Sequence, residues 1–582
     1  MERYRKRRAL LILVLVPLLA LGLWNLRALR HPAGTPVSPQ ETTAHHVILV
    51  PLDGRPPCRQ FVIDAGRIGG TEVVTPPHEL QDYYSQPGDT KTMRRWLLEE
   101  VAKGTTDSVF LSVDQLLYGG LLTAREKQAT PAEVEEFLAF LRELHEANPA
   151  VPIYAFSILP RLTPQDTIDG YDERRDIMAY SRLAGRQAAG LPVDETKLAA
   201  LKAKIPPASL ERYLAHFREN ATLNERLIDL THEGTLTRLV LGQDDGEEYG
   251  IPNIEKYALL DYIKSLGLSD RQVFLTHGAD EIALSLLAAW HNEQTGYAPK
   301  IFVAYNDPGA RDRVMPYMAV STGVCTEEKI RLTGGSLAAS PEEADFTLLV
   351  STNDTDKDTL WSRGACVRLL EDNLAKGQPT ALVDLSKHFN ADETVLPQLI
   401  AAAFPVNRLL AYAGWNTTSN ALGTAIAQAC LYRSSLETVS SEDEAIGLAA
   451  AQVRFLENRI LEDYFYLKED IDTINGTLKK AGYTNTADLD LDHNYRWANL
   501  MLRTSMTRHL LVYKNTAAFR APFPVAAPSG TIYLQLHDMQ ADMSLPWPRT
   551  FEIYLETTPF FERLSGDDQT IGNTAINVYD GS

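Results

Sequence analysis

The sequence "HHVILVPLDGRPPC", residues 45–58, joins an apolar run to a charged turn. The run is apolar throughout, which is typical of a strand buried on both faces of a parallel sheet. It ends at Asp53, Gly54 and Arg55, where the glycine permits a sharp turn and the two following prolines stiffen the chain. We therefore predict a buried strand whose carboxyl end presents Asp53 and Arg55, and we expect Asp53 to hold Arg55 in place.

Nine further runs of this kind follow, and stretches with helical periodicity separate them. In residues 130–148, for example, the apolar residues form one helical stripe after a Thr-Pro start. Strands that alternate with helices predict an α/β fold with parallel sheets. Ten strands fit either a (β/α)8-like barrel or two Rossmann-like lobes. The predicted strands are Val47–Leu52, Glu72–Thr75, Ser108–Val113, Ile153–Leu159, Arg238–Gly242, Val273–Leu275, Ile301–Tyr305, Phe346–Ser351, Ala381–Leu385 and Leu409–Ala413.

The sequence pattern changes after about residue 440. Residues 441–510 have the periodicity of long helices, whereas residues 511–565 combine proline-rich turns with the alternation of a small β element. The tail, residues 566–582, is polar, and we expect it to be loose. Before these segments we assign residues 45–250 to a first α/β region and residues 251–440 to a second.

The N-terminus predicts a signal peptide or a signal anchor. Five basic residues precede the short apolar run Ala9–Trp24, and no clear cleavage site follows. This order is typical of a secretory signal or an uncleaved membrane anchor. We expect residues 1–30 to be an uncleaved anchor, with a cleaved signal as the alternative, and residues 31–44 to be a tether. The bulk of the chain is then extracytoplasmic, either held at the cell membrane or secreted.

The composition argues against several classes of protein. The 582 residues include 56 Lys and Arg against 76 Asp and Glu, a net charge of −20, which argues against general nucleic-acid binding. The four cysteines form no Cys-x-x-Cys pair, so neither a zinc ribbon nor a disulfide scaffold is indicated. The sequence contains no nucleotide-binding glycine motif, serine-hydrolase elbow or zincin motif. We expect no cofactor and no resident metal, and the sequence sets no oligomeric state.

Polar side chains follow nearly every predicted strand. Ligands of parallel α/β proteins bind at the carboxyl ends of the strands, so these side chains predict one shared site. A single Asp, Asn or Gly in such a place also serves as a turn or helix cap. One cap accounts for only one of three consecutive acceptors at 243–245, which favours a functional role there. The strand-end candidates are Asp53, Arg55, Asp114, Tyr118, Arg161, Gln243, Asp244, Asp245, His277, Asp280, Glu281, Trp415, Asn416 and Asn420.

Six motifs resemble the DUF4127 family, a group of bacterial proteins with no assigned function. In order they are "VPLDGRP", "SVDQLLYGGLLTAR", "LGQDDGEEYG", "GADEIAL", "AYAGWNTTSNALGTA" and "PWPRTFE", and the resemblance covers about residues 45–555. The chain departs from the family pattern at "RPPC" and at "DLSKHFNADE". The resemblance implies family positions at Asp53, Arg55, Asp114, Tyr118, Gly119, Gly120, Arg125, Gln243, Asp244, Asp245, Asp280, Glu281, Gly414, Trp415, Asn416 and Gly423.

The residues themselves favour a hydrolase of a polar substrate, and a glycosidase above all. Glycoside hydrolysis needs two carboxyl groups, one as acid and one as base or nucleophile. We expect Asp244 or Asp245 to supply one of them and Asp114 or Asp280 to supply the other. Amide groups, arginines and aromatic rings would bind a small-molecule or glycan substrate. The residues expected to bind it are Asp53, Arg55, Tyr118, Arg125, Arg161, Gln243, Glu281, Trp415, Asn416 and Asn420.

Two other functions remain as alternatives. The first is a non-enzymatic surface receptor that binds a small polar or sugar-like ligand between α/β lobes. The second is a metal-dependent hydrolase that uses aspartates and histidines. Carboxylates that are all tied to arginines would favour the receptor, whereas oxygen ligands clustered around one point would favour the metal enzyme.

Overall fold

The computed structural model describes the chain in five ranges, residues 34–164, 171–353, 359–415, 417–486 and 488–564. The predicted anchor and the predicted loose tail lie outside these ranges. Within them, no helix combines the length and the apolar character needed to cross a membrane.

Fifteen strands of the described chain form three sheets. They are β1 (Gly34–Val37), β2 (His45–Val50), β3 (Thr71–Val74), β4 (Ser108–Ser112), β5 (Ile153–Leu159), β6 (Arg238–Gln243), β7 (Val273–His277), β8 (Lys300–Tyr305), β9 (Ser336–Leu337), β10 (Phe346–Asn353), β11 (Thr380–Ser386), β12 (Ala411–Ala413), β13 (Phe523–Ala527), β14 (Gly530–Ser544) and β15 (Tyr554–Leu564).

Helices connect most of these strands. They are α1 (Gln60–Ile68), α2 (Thr90–Val101), α3 (Val113–Tyr118), α4 (Leu121–Ala124), α5 (Pro131–Ala147), α6 (Tyr171–Ala188), α7 (Glu195–Lys204), α8 (Pro207–His232), α9 (Ile251–Ser265), α10 (Ile282–Thr295), α11 (Thr322–Leu332), α12 (Thr359–Ala375), α13 (Leu396–Ala401), α14 (Thr418–Leu436), α15 (Glu442–Arg459), a π-helix (Ile460–Asp470), α16 (Ile471–Lys480), α17 (Asn494–Tyr513) and α18 (Ala517–Arg520).

Two separate parallel sheets form the α/β part, so the two-lobe arrangement is correct and the barrel is not. The first sheet has the order β3-β2-β4-β5-β6-β7, and the second has the order β12-β11-β10-β8-β9. Strand β2 shows why these strands are apolar throughout. Val47 and Leu49 pack into one hydrophobic core, whereas Ile48 and Val50 pack into another. Successive side chains of a strand point to opposite faces, so both faces of this sheet are covered.

All ten predicted strands occur, but the boundaries differ in two places. Strand β7 pairs with β6, so the first sheet extends beyond the division predicted at residue 250. Strand β1 lies within the predicted tether and pairs antiparallel with β15, with Gly34 opposite Leu564. Part of residues 31–44 is therefore an edge strand of a sheet. The pairing adds backbone hydrogen bonds that a free linker lacks.

The C-terminal part contains the expected helical region and the expected small β element. Strands β13, β14 and β15 form an antiparallel sheet with β1. The π-helix connects this region to the second lobe, because Asp463 accepts a hydrogen bond of 2.9 Å from the backbone N–H of Gly414, directly after β12. Arg459 donates to the other oxygen of Asp463, also at 2.9 Å.

A close helix contact between the two lobes requires a glycine. A Cβ atom on Gly423 of α14 would overlap the Cγ atom of the buried Glu281, at the start of α10. Gly476 of α16 offers a matched control, because a Cβ atom there meets nothing within 4 Å. We expect Gly423→Ala to lower the free energy of unfolding by about 1–3 kcal/mol through overpacking.

Gly476→Ala is expected to raise the free energy of unfolding by about 1 kcal/mol, because alanine is the better helix former. Denaturant unfolding of both variants measures the difference. Equal stability of the two variants would contradict the close approach at Gly423.

Candidate functional site

A cleft of about 580 Å³ opens at the carboxyl ends of the strands of the first sheet. Its walls come from three parts of the chain: the loops that follow the first-sheet strands, the loops of the second lobe and the C-terminal region. Ligand sites of α/β proteins lie at this edge of a sheet, and the volume is typical of a small-molecule site. The residues that define the walls include Arg55, Arg125, Arg161, Asp244, Asp245 and Asp280, then Tyr317, Phe389 and Asn420, and finally Asn475, Arg549 and Phe551.

A buried arginine joins two aspartates at one side of the cleft. Nη2 of Arg55 lies 2.6 Å from Oδ2 of Asp53 and 2.6 Å from Oδ1 of Asp280. Nε of Arg55 also donates to Asp53, at 2.9 Å. Burial alone lowers the pKa of Arg55, but the charges of Asp280 and Asp53 raise it well above its usual value. Arg55 is therefore a fixed cation, and Asp53 holds it as the sequence predicts.

The same cluster resembles a metal site in its residue types. One ligand atom from each of Asp53, Cys58 and Asp280 lies within 4.8 Å of the others. The guanidinium of Arg55 binds both carboxylates and lies 3.7 Å from Sγ of Cys58. Burial, and then the charge of Asp53, raise the pKa of the Cys58 thiol well above its usual value. Because the arginine already supplies the positive charge, these residues do not fit a metal ion.

Two consecutive aspartates in the cleft have different environments. Nε of Arg125 donates to Oδ2 of Asp244 at 2.8 Å, and its Nη2 contacts the same oxygen. Burial alone raises the pKa of Asp244, but Arg125 and Arg161 lower it below its usual value. At Asp245, burial and the charge of Asp244 raise the pKa to about 7. Within the described chain, no group donates a hydrogen bond to the Asp245 carboxylate.

The floor of the cleft contains a histidine between a glutamate and a lysine. Nδ1 of His277 lies 2.9 Å from Glu328, and its Nε2 lies 3.2 Å from Nζ of Lys256. Lys256 also donates to Oε1 of Gln243 at 2.8 Å. Burial lowers the pKa of His277 and lowers that of Lys256 to about 8. These contacts fit a neutral histidine that donates from Nδ1, and they hold the Gln243 amide in one orientation.

The structure adds cleft residues that sequence reasoning missed. Tyr317 and Phe389 have φ angles of 64° and 57°, and their ring centroids lie 6.4 Å apart at the cleft. Such left-handed backbone is costly for aromatic residues and is concentrated at functional sites. Nε of Arg549 donates a hydrogen bond of 2.9 Å to the buried Glu552. The Arg549 guanidinium lies 4.9 Å from the ring centroid of Trp547. The motif "PWPRTFE" signals this wall, since it places an arginine among aromatic residues.

Fourteen residues are predicted above to act in catalysis or substrate binding, and eight of them line the cleft. The predicted residue Asn416 lies outside the described residues, and the other five do not line the cleft. The eight are Arg55, Arg125, Arg161, Gln243, Asp244, Asp245, Asp280 and Asn420.

Two of the residues away from the cleft support the first lobe from within. Oδ2 of Asp114 accepts a hydrogen bond of 3.0 Å from the backbone N–H of Ile158, and burial raises its pKa to about 7. The Tyr118 hydroxyl donates to Glu219 at 2.6 Å. The catalytic role predicted for Asp114 and the substrate contact predicted for Tyr118 therefore gain no support from where these residues lie. Asp114 instead fixes the start of α3 against strand β5.

The other three residues also have structural partners. Asp53 is fully buried and binds Arg55 instead of substrate. Glu281 is buried and forms an ion pair with Lys329. Trp415 is buried with its ring centroid 6.2 Å from that of Phe61. The structure therefore gives each of these three residues a contact within the protein and places none of them on the cleft wall.

The fold and the cleft define a two-lobed α/β protein with a polar site at the strand ends of its first lobe. The chain belongs to the DUF4127 family, described as a protein of unknown function, whose sequence pattern matches residues 47–556. No curated protein matches the chain.

The Arg55 cluster yields a stability prediction with a matched control. Asp53→Asn removes one of two buried charges that compensate Arg55, so we expect the free energy of unfolding to fall by about 3 kcal/mol. The control Asp270→Asn breaks an ion pair with Arg331 in which both side chains are more than half exposed. That change is expected to cost less than about 1 kcal/mol. Chemical denaturation measures both, and equal effects would contradict the role assigned to Asp53.

Proposed function

We propose that the protein is an extracytoplasmic hydrolase of a polar substrate, most specifically a glycosidase, and that it acts in this cleft. The observation that carries the proposal is the contrast between Asp244 and Asp245. Arg125 binds Asp244 and favours its ionised form, whereas Asp245 receives no such contact from the described residues and favours its protonated form. Two carboxyl groups whose environments separate their pKa values are the usual basis of acid and base roles.

The cleft residues suggest one role for each carboxyl group. Asp245 donates its proton to the glycosidic oxygen as the bond between carbon and oxygen breaks. The ionised Asp244 stabilises the positive charge that develops on the sugar ring. A water molecule adds its hydroxyl group to the sugar carbon and gives its proton to Asp280, whose Oδ2 accepts only a long, 3.3 Å hydrogen bond from Asn420 among the described side chains. Asp280 then releases this proton to solvent, and Asp245 takes one up, which restores both carboxyl groups.

Substrate binding in this proposal uses the other walls of the cleft. Arg161 and Arg549 offer donors to hydroxyl or carboxylate oxygens, and the rings of Tyr317 and Phe389 offer apolar faces to a sugar ring. The extracytoplasmic location in the proposal rests on the basic flank and the apolar run Ala9–Trp24. A cell-surface or environmental glycan is the corresponding substrate class.

Removing the proton donor tests the proposal directly. Asp245→Asn is expected to lower turnover of a panel of 4-methylumbelliferyl glycosides at least about a hundredfold, the usual contribution of a general acid. The melting temperature should stay near that of the wild type, and Asp270→Asn should leave turnover unchanged. Full activity of both Asp245→Asn and Asp244→Asn would refute the assignment.

The pH dependence gives a second test with a defined sign. Because Asp245 acts in its protonated form, kcat/KM should fall as the pH rises through about 7. Asp244→Asn removes the neighbouring negative charge that raises the pKa of Asp245, so any residual activity should fall at a lower pH. A pH–rate profile of both proteins measures the shift. If kcat/KM of the wild type and of Asp244→Asn falls at the same pH, Asp245 is not the acid.

A non-enzymatic receptor is the second candidate, and the pairing of cleft residues favours it. Arg55 with Asp280 and Arg125 with Asp244 form fixed pairs, which preorganise a surface for binding. Wild-type protein that binds sugars of the panel in calorimetry but turns over none of them would support the receptor. Loss of turnover with a chelator would instead support the metal-dependent hydrolase, which the Arg55 cluster does not favour.

A further inference from the structure

One face of helix α17 exposes large apolar side chains. Trp497, Leu500, Leu511 and Val512 are each 54–65% exposed. The opposite face packs inward through Leu502, Met506 and other residues of the same stripe. At 3.6 residues per turn, the spacing of three and fourteen residues places Leu500 and Leu511 on the same side as Trp497. The exposed apolar residues therefore form two patches on one side of the helix, Trp497 with Leu500 and Leu511 with Val512, separated by the exposed Thr504 and Arg508. We call this side of the helix the α17 face.

The charge of α17 is opposite to that of the whole protein. Residues 494–513 contain three arginines, Arg496, Arg503 and Arg508, and no Asp or Glu, in a chain whose net charge is −20. All three arginines are exposed. Asp470 of the π-helix contacts α17 through Ser505 and through His509, at 2.6 and 3.0 Å. Asp490, in the acidic segment before the helix, is bonded to His493 at 2.9 Å. The α17 face thus combines apolar side chains with positive charge along twenty residues.

Helix α17 contacts the same small sheet that contains strand β1, the first described element of the chain. Nε of Arg503 donates to the carbonyl of Met543 in β14 at 3.0 Å. Strand β14 pairs with β15, and β15 pairs with β1, which begins at Gly34. The chain before Gly34 includes the basic flank and the apolar run Ala9–Trp24. This sheet therefore connects helix α17 to the chain segment that follows the apolar run Ala9–Trp24.

We propose that the α17 face lies on the surface of an anionic lipid bilayer. A helix that exposes Trp and Leu together with arginines, and has no acidic residue of its own, has the composition of helices that lie in a membrane interface. Each basic residue near such a surface adds attraction to acidic headgroups. The proposal is independent of the reaction proposed for the cleft.

The test uses the full chain with vesicles of phosphatidylcholine and phosphatidylglycerol in a 3:1 mixture. The four native cysteines are buried, so Leu500→Cys provides a selective site for a polarity-sensitive fluorescent label. Leu337→Cys is the matched control, since Leu337 is 51% exposed but lies on strand β9 of the second lobe. We expect a blue shift, and quenching by a lipid-attached quencher, at position 500 and neither at position 337.

Charge reversal separates bilayer docking from the other possibilities. Arg496→Glu together with Arg508→Glu should remove the blue shift at position 500, as should vesicles of phosphatidylcholine alone. The proposal is overturned if the label at 500 remains as accessible to an aqueous quencher as the label at 337, or if the protein does not associate with the vesicles. A blue shift in vesicle-free solution that depends on protein concentration would overturn it in favour of self-association.

Discussion

The ion cluster around Arg55 is the interaction on which the cleft depends. Arg55 follows β2 and Asp280 follows β7, and three strands separate β2 from β7 in the first sheet. Asp280 also accepts a hydrogen bond from Asn420 of the second lobe, and the Arg55 guanidinium lies 5.6 Å from the ring of Trp547 in the C-terminal region. One buried cation thus connects the three parts of the chain that form the cleft.

Burying such a cluster is costly, and its geometry explains why it persists. A buried ion pair must recover the hydration energy of both partners, which requires short contacts and several hydrogen bonds. Asp53 and Asp280 provide contacts of 2.6 Å to the same nitrogen of Arg55. The result is a cleft wall with fixed charges, and Asp280 faces the cleft in one orientation. Preorganised charge of this kind is what either a catalytic site or a selective binding site requires.

Sequence reasoning found the strands because each has a strong local signal. A strand such as β2, covered on both faces, must be apolar at every position, and that pattern is visible without a structure. Parallel strands also place their carboxyl ends at one edge of the sheet, which is why the sequence predicts that Asp244, Asp245 and Asp280 lie near one another, and all three line one cleft. The boundary between the lobes was misplaced because the pairing of β7 with β6 depends on the whole sheet, and no local pattern encodes it.

The direction of a side chain at a strand end is also not local information. Asp114 and Asp244 both follow apolar strands, yet Asp114 turns to the backbone of β5 and Asp244 turns to the cleft. Sequence alone treats the two alike, since each is an acidic residue after a buried run. The walls formed by Phe389 and Arg549 require contacts over hundreds of residues, and only the motif around Arg549 hints at its role.

The distance along the chain between the walls of the cleft has a consequence for biosynthesis. Arg55 and Phe551 line the same cleft, and nearly the whole chain separates them. At roughly 5–20 residues per second, a ribosome adds Phe551 about 25–100 s after Arg55. The first sheet is complete once β7 has been made, and from then until Phe551 its strand-end charges lack the C-terminal wall. A chain released before its last strands are made therefore has the strand-end charges of the first sheet but lacks the C-terminal wall of the cleft.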